Sequence, residues 1–162
     1  MRHVLSVLVE NEPGVLSRIS GLFSGRGFNI ETLNVGPTLE DGVSIMTITT
    51  LGDDQIIEQI VKQLRKLVTV IKVVDLTEMQ AVEREMMLVK VNADDTRRAD
   101  ILRIVDIFRC KVVDVSPADL TVEVTGDHGK LSALISLLQR YGIKEIARTG
   151  TVALKRTMQL TG

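Results

Sequence analysis

Apolar residues along this chain fall into short blocks whose spacing alternates between two periods. Val4 to Val9 is apolar on both faces and rich in β-branched residues, the pattern of a buried strand. Val15, Leu16, Ile19, Leu22 and Phe23 then recur on one helical face, with Arg18, Ser20 and Ser24 elsewhere. Gly25 and Gly27 stop that helix. Phe28 to Val35 reads as a strand, Glu40-Asp41-Gly42 as a turn, and Val43 to Thr50 as the next strand. Asp53 and Asp54 open a second helix whose apolar stripe is Ile56, Ile57, Ile60, Val61 and Leu64, and Val68 to Leu76 follows as a fourth strand. The order is βαββαβ, the ferredoxin-like unit.

The same order then returns. Met86 to Val91 reads as a strand and Asp95 to Arg109 as a helix with Ile101, Ile104, Val105 and Phe108 inward. Lys111 to Val115 and Leu120 to Thr125 form a hairpin around Ser116-Pro117-Ala118-Asp119. His128 to Arg140 is a helix with Leu131, Leu134, Ile135 and Leu138 aligned, Ile143 to Arg148 closes the unit, and Thr151 to Gly162 is a tail. The expected fold class is α+β, two tandem ferredoxin-like (βαββαβ) domains over residues 1–78 and 79–162, divided in the polar stretch Thr77 to Arg84. Each unit is small and buries a limited core. A four-stranded sheet with helices on one face leaves its other face and both edges in need of cover. Val68, Val70, Ile71, Val73 and Val74 are apolar on both sides of one strand, which favours an oligomer or a second layer over a free monomer.

Composition narrows the class. Apolar residues make up 44% of 162 residues, too many for disorder, while aromatics make up only 2%, so the cores are built from Val, Ile, Leu and Met. A net charge of −1 gives no global field for nucleic acid or an anionic membrane. The single Cys110 excludes an internal disulfide and fits a reducing compartment. No apolar run approaches the ~20 residues of a membrane span. The start, Met1-Arg2-His3-Val4-Leu5, lacks a signal-peptide pattern, so the expected location is cytoplasmic.

Candidate chemistry concentrates in the first unit. Asn11-Glu12-Pro13-Gly14-Val15-Leu16 carries a strand into a helix, and Gly25-Arg26-Gly27-Phe28-Asn29-Ile30 carries that helix into the next strand. A helix N-terminus offers free N–H groups and partial positive charge to an anion such as a carboxylate. Asn11 and Asn29 each add a donor and an acceptor. On spacing alone, the first loop also fits an ordinary helix start with Pro near N1. Gly126-Asp127-His128-Gly129-Lys130 is too short for a phosphate loop and fits a plain helix start. Asp94-Asp95 fits a helix cap better than a metal site. His3 and His128 lack ligand-spaced companions, Cys110 has no C-x-x-C partner, and Lys62, Arg65 and Lys66 fit a solvated helix face. Catalytic residues: none are marked, and metal ligands: none. A ligand-binding regulatory module, a small ferredoxin-like enzyme and an RNA-binding module share this topology. The RNA reading lacks stacking aromatics on Val43 to Thr50.

Glu10-Asn11-Glu12-Pro13-Gly14-Val15-Leu16 followed by Arg26-Gly27-Phe28-Asn29-Ile30 resembles an ACT domain, the amino-acid-sensing module of biosynthetic enzymes. The likeness extends further. Leu5 to Val9, Asn29 to Leu33, Gln63 to Leu67, Glu83 to Lys90, Ile107-Phe108-Arg109, Val113-Asp114-Val115 and Ala147 to Gly150 resemble the small, regulatory subunit of acetolactate synthase. That resemblance implies no cofactor in this chain and a large-subunit partner holding thiamine diphosphate, Mg and FAD. It implies activation of that subunit and feedback inhibition by valine or a related branched-chain amino acid. The effector would lie between the ACT domains of a homodimer, held by Asn11, Pro13, Gly14, Val15 and Leu16 of one chain and Asn29 and Ile30 of the other. The carboxylate would meet backbone N–H groups near Gly14 and Val15. An ACT protein regulating a different enzyme is the alternative, and neither nucleic acid nor membrane is an expected partner.

Overall fold

The computed structural model describes residues 1–157, so the last five residues of the expected tail lie outside the described residues. The chain divides into two compact units, Met1–Val82 together with the stretch from Gly150, and Glu83–Thr149.

The first unit contains β1 (Arg2–Glu10), α1 (Val15–Gly25), β2 (Ile30–Pro37), β3 (Val43–Leu51), α2 (Asp54–Arg65) and β4 (Val70–Asp75). Its sheet has the antiparallel order β2-β3-β1-β4. Alternation along β1 sends Leu5, Val7 and Val9 into a core with Ile19 and Phe23 of α1, Ile57, Ile60 and Leu64 of α2, and Met46 and Ile48 of β3. The other face of the central strands is polar at Thr47 and Thr49, both buried, and Thr49 is hydrogen-bonded to Thr32. The strand expected over Val68 to Leu76 is shorter at both ends. Val68 is exposed and Ile71 half-exposed, while Val73 is buried in the core.

The second unit contains α3 (Arg98–Ile107), β6 (Lys111–Val115), β7 (Asp119–Gly126), α4 (His128–Leu138) and β8 (Ile143–Arg148), after β5 (Ala81–Asn92), with a 3₁₀ turn over Gln139–Tyr141. The sheet order is β6-β7-β5-β8, again antiparallel. Met87, Val89 and Val91 of β5 meet Val122 and Val124 of β7, Ile101 and Val105 of α3, and Leu131, Leu134 and Leu138 of α4 in its core. Both units therefore have the expected ferredoxin-like order.

Further details differ from the sequence reading. The expected division into 1–78 and 79–162 follows the chain, but the stretch from Gly150 returns to the first unit. There Ala153 is buried with Val4 and Leu76. Residues Val152–Lys155 of the expected tail form a further strand, β9, which pairs with β5. With that partner available, β5 starts at Ala81 rather than Met86, and the Arg156 N–H donates to Gln80 O at 2.8 Å. Finally, α3 starts at Arg98 rather than Asp95. Asp94 Oδ1 accepts from the N–H groups of Thr96 and Arg97, both at 3.1 Å, closing a turn before the helix begins.

Candidate functional site

The loop after β1 is anchored at its root. Glu10 N–H donates to Thr69 O at 2.8 Å and Asn11 N–H to Gly42 O at 2.7 Å, fixing where the chain leaves the sheet. From there Asn11, Glu12, Pro13 and Gly14 are exposed. Gly14 is the N-cap of α1, with φ +87°, a left-handed conformation that favours glycine, and no side chain caps the helix. Apart from its own chain neighbours, nothing lies within 4 Å of where a Cβ on Gly14 would stand. The expected donors differ in this chain: Val15 N–H points back to Glu12 O at 3.3 Å, so it is partly spent. Arg18 N–H reaches Gly14 O at 3.0 Å, and among the described residues the N–H groups of Gly14, Leu16 and Ser17 make no hydrogen bond. They are the free donors of the helix start. Val15 itself is buried in the core, while Leu16 is 44% exposed beside the loop, an apolar surface next to the donors. Pro13 precedes the N-cap instead of standing at N1.

The second junction is built by a different device. Phe28 N–H donates to Phe23 O at 2.9 Å and Gly27 N–H to Ser24 O at 3.1 Å, the paired bonds of a Schellman motif. Gly27 takes the left-handed position at φ +73°. Phe28 packs against the core and Asn29 emerges exposed. The buried Thr50 hydroxyl donates to Asn29 O at 2.6 Å and so sets where the asparagine projects, a contact the sequence did not announce. Ile30 is half-buried and pairs with Thr50.

These two halves are far apart in one chain. They lie at opposite ends of α1, whose 11 residues span about 16 Å. Along β3, Glu10 pairs with Val43 and Ile30 with Thr50, a separation of about 24 Å. Asn11 and Asn29 of a single chain therefore cannot hold one small molecule between them.

The remaining motifs resolve into structural roles. Asp127 Oδ1 accepts from Lys130 N–H at 2.9 Å and caps α4, while Lys130 Nζ donates to Thr125 O at 3.0 Å rather than pointing to an anion. Asp94 is held below the usual carboxylate range, chiefly by the Thr96 hydroxyl at 2.7 Å, with the Arg97 N–H and charge adding to it. Cys110 is half-buried, and burial pushes its thiol up, against the pull of the Lys130 charge.

An exposed Pro-Gly helix start, a glycine-closed helix end and a ββαβ remainder define the first unit as an ACT domain. A family model described as an AHAS small subunit-like ACT domain matches residues 5–72, and one described as the small subunit of acetolactate synthase matches 84–157. The chain belongs to the acetolactate synthase small-subunit family, and its ACT domain fits a regulatory subunit of that enzyme. The acetolactate synthase small subunit of Aquifex aeolicus is 55% identical over 160 residues, covering 98% of this chain and 83% of that relative. A probable acetolactate synthase small subunit of Archaeoglobus fulgidus is 53% identical over 156 residues, covering 96% and 98%. The crystal structure of the acetolactate synthase small subunit from Thermotoga maritima superposes with a TM-score of 0.85 at 44% identity, over 98% of this chain and 99% of that one.

Proposed function

We propose that this chain activates an acetolactate synthase large subunit and confers feedback inhibition by valine, bound between the first units of a homodimer. The effector-binding residues are Asn11, Pro13, Gly14, Val15 and Leu16 of one chain with Asn29 and Ile30 of its partner. The observation that carries this reading is the wide separation of two exposed, ligand-suited halves, which only a second chain can bring together. Free N–H groups at Gly14, Leu16 and Ser17 suit the carboxylate, and the asparagine amides suit the polar ends of an amino acid. Leu16 offers an apolar wall to a branched side chain. The catalytic partner supplies the chemistry, with thiamine diphosphate, Mg and FAD, in the cytoplasm.

Calorimetric titration with valine, leucine and isoleucine, beside lysine as control, tests it. Saturable binding of a branched-chain amino acid at one site per chain is expected. Absence of binding by all three sinks the reading, and preference for lysine redirects it to an ACT protein acting on another enzyme.

A further inference from the structure

Helix α2 separates two hollows of opposite sign. One, about 320 Å³, is lined by Asp54 and Glu58 of α2, Asp75 of β4, Glu78 and His3, with no Lys or Arg. The other, about 430 Å³, is lined by Arg26, Lys62, Arg65 and Lys66 with two glutamines and no acid. The helix dipole accounts for acids at the start of α2 and bases at its end. It does not account for Asp75 and Glu78, which come from β4 and the turn after it, or for Arg26 at the end of α1.

The acidic hollow also contains an unmet polar group. His3 is 4% exposed. Its Nδ1 lies 3.4 Å from Thr77 Oγ1 and 3.6 Å from Asp75 Oδ2. The Thr77 hydroxyl already donates to Asp75 Oδ1 at 2.5 Å, so the hydrogen in its contact with His3 belongs to Nδ1. Nε2 makes no hydrogen bond and lies 3.0 Å from Asp54 Oδ1. Four carboxylates around this buried ring, with no Lys or Arg in the lining, leave the hollow in want of a cation.

We propose that a second copy of this chain supplies that cation. The copies dock with their α2 helices antiparallel about a two-fold axis between Glu58 and Lys62. The basic hollow of each then covers the acidic hollow of the other, and every contact occurs twice. Within one copy, Glu58 and Lys62 already pair at 3.6 Å, both well exposed, so the exchange needs only a change of partner. The exposed Gln55 and Gln59 fill the centre without adding charge. This contact uses the outer face of α2 and is separate from the effector interface, so the two together generate a dimer of dimers.

Sedimentation at about 50 mM and about 0.5 M salt tests the proposal with the whole chain, because screening weakens exposed charge pairs. The expected result is a doubling of mass at low salt relative to the high-salt species, whether that species is a monomer or the effector-linked dimer. Failure of the effector reading is thus told apart from failure of this one. Lys62→Glu with Lys66→Glu, and separately Glu58→Lys with Glu78→Lys, should each weaken the doubling by at least about tenfold. None of these substitutions touches the Arg65 bond to Val73 O or the His3 contacts. Mixed in equal amounts, the two variants should recover it, since each altered hollow then meets one of opposite sign. Recovery also shows that both variants fold. No doubling by the wild-type chain, variants that double as readily, or a mixture that fails to recover would each overturn the proposal.

Discussion

Consider Asn11→Ala in one preparation and Asn29→Ala in another, followed by mixing. A hydrogen bond to a charged ligand is typically worth about 1.5–3 kcal/mol. Each single variant should therefore bind valine roughly 10- to 150-fold more weakly than the wild-type chain. Both side chains are exposed and end outside regular elements, so neither change removes core packing. The informative step is the mixture. Within one chain the two positions are about 16 Å apart along α1 and about 24 Å apart along β3. If each site takes Asn11 from one chain and Asn29 from the other, a mixed dimer has one doubly altered site and one intact site. Random assortment makes half of the dimers mixed, so about a quarter of all sites return to wild-type affinity.

Calorimetry reads both quantities, affinity from the curve and site number from its midpoint. Exchange of chains is confirmed by labelling one variant and sedimenting the mixture. A mixture whose chains exchange but which shows no high-affinity sites would refute the two-chain site. Single variants that bind within about threefold of wild type would refute the residues themselves.

Gly14→Asp places a side chain and a negative charge beside the free N–H groups and strains a left-handed backbone by about 1–2 kcal/mol. A folded chain that still activates the large subunit but no longer transmits valine inhibition is expected in a reconstituted assay, and retained inhibition contradicts it. Gly52→Ala should lower the urea midpoint. Its Cβ would lie 1.9 Å from the Phe28 ring, and overpacking of this kind costs about 1–3 kcal/mol. An unchanged midpoint would show that the ring moves freely. The carboxyl of Asp94 is held below its ordinary range in the fold, so its contribution is present above that range and fades as pH falls through it. The melting-temperature gap between wild type and Asp94→Ala should accordingly be wide at neutral pH and close in acid, and a gap independent of pH counts against it.

Much of this was legible in the chain because local chemistry determines it. The stripe of Ile57, Ile60, Val61 and Leu64 can bury only one face of a helix, and Leu5, Val7 and Val9 only one face of a strand. Pro13-Gly14 and Gly25 to Asn29 marked the two junctions of the candidate site for the same reason, since a left-handed residue at Gly14 and at Gly27 is a local requirement. What escaped depends on distant partners. β9 has only four residues and exists because β5 gives it a ladder. The late start of α3 was hidden because Asp94 closes a turn where acids ordinarily cap the helix itself. The grip of Thr50 on Asn29 needs β3 beside β2, and the two charged hollows need α1, α2 and β4 assembled.

The most direct test of regulation is turnover of the acetolactate synthase large subunit from the same organism, measured with this chain at saturation, with and without saturating valine. The expected result is higher turnover when the chain is added and a fall when valine follows, with the complex still intact by sedimentation. Effector and catalytic partner then meet different surfaces joined by a coupling free energy of about 1–3 kcal/mol. Turnover that does not respond to the chain, or that responds to the chain but not to valine, would contradict the proposed function.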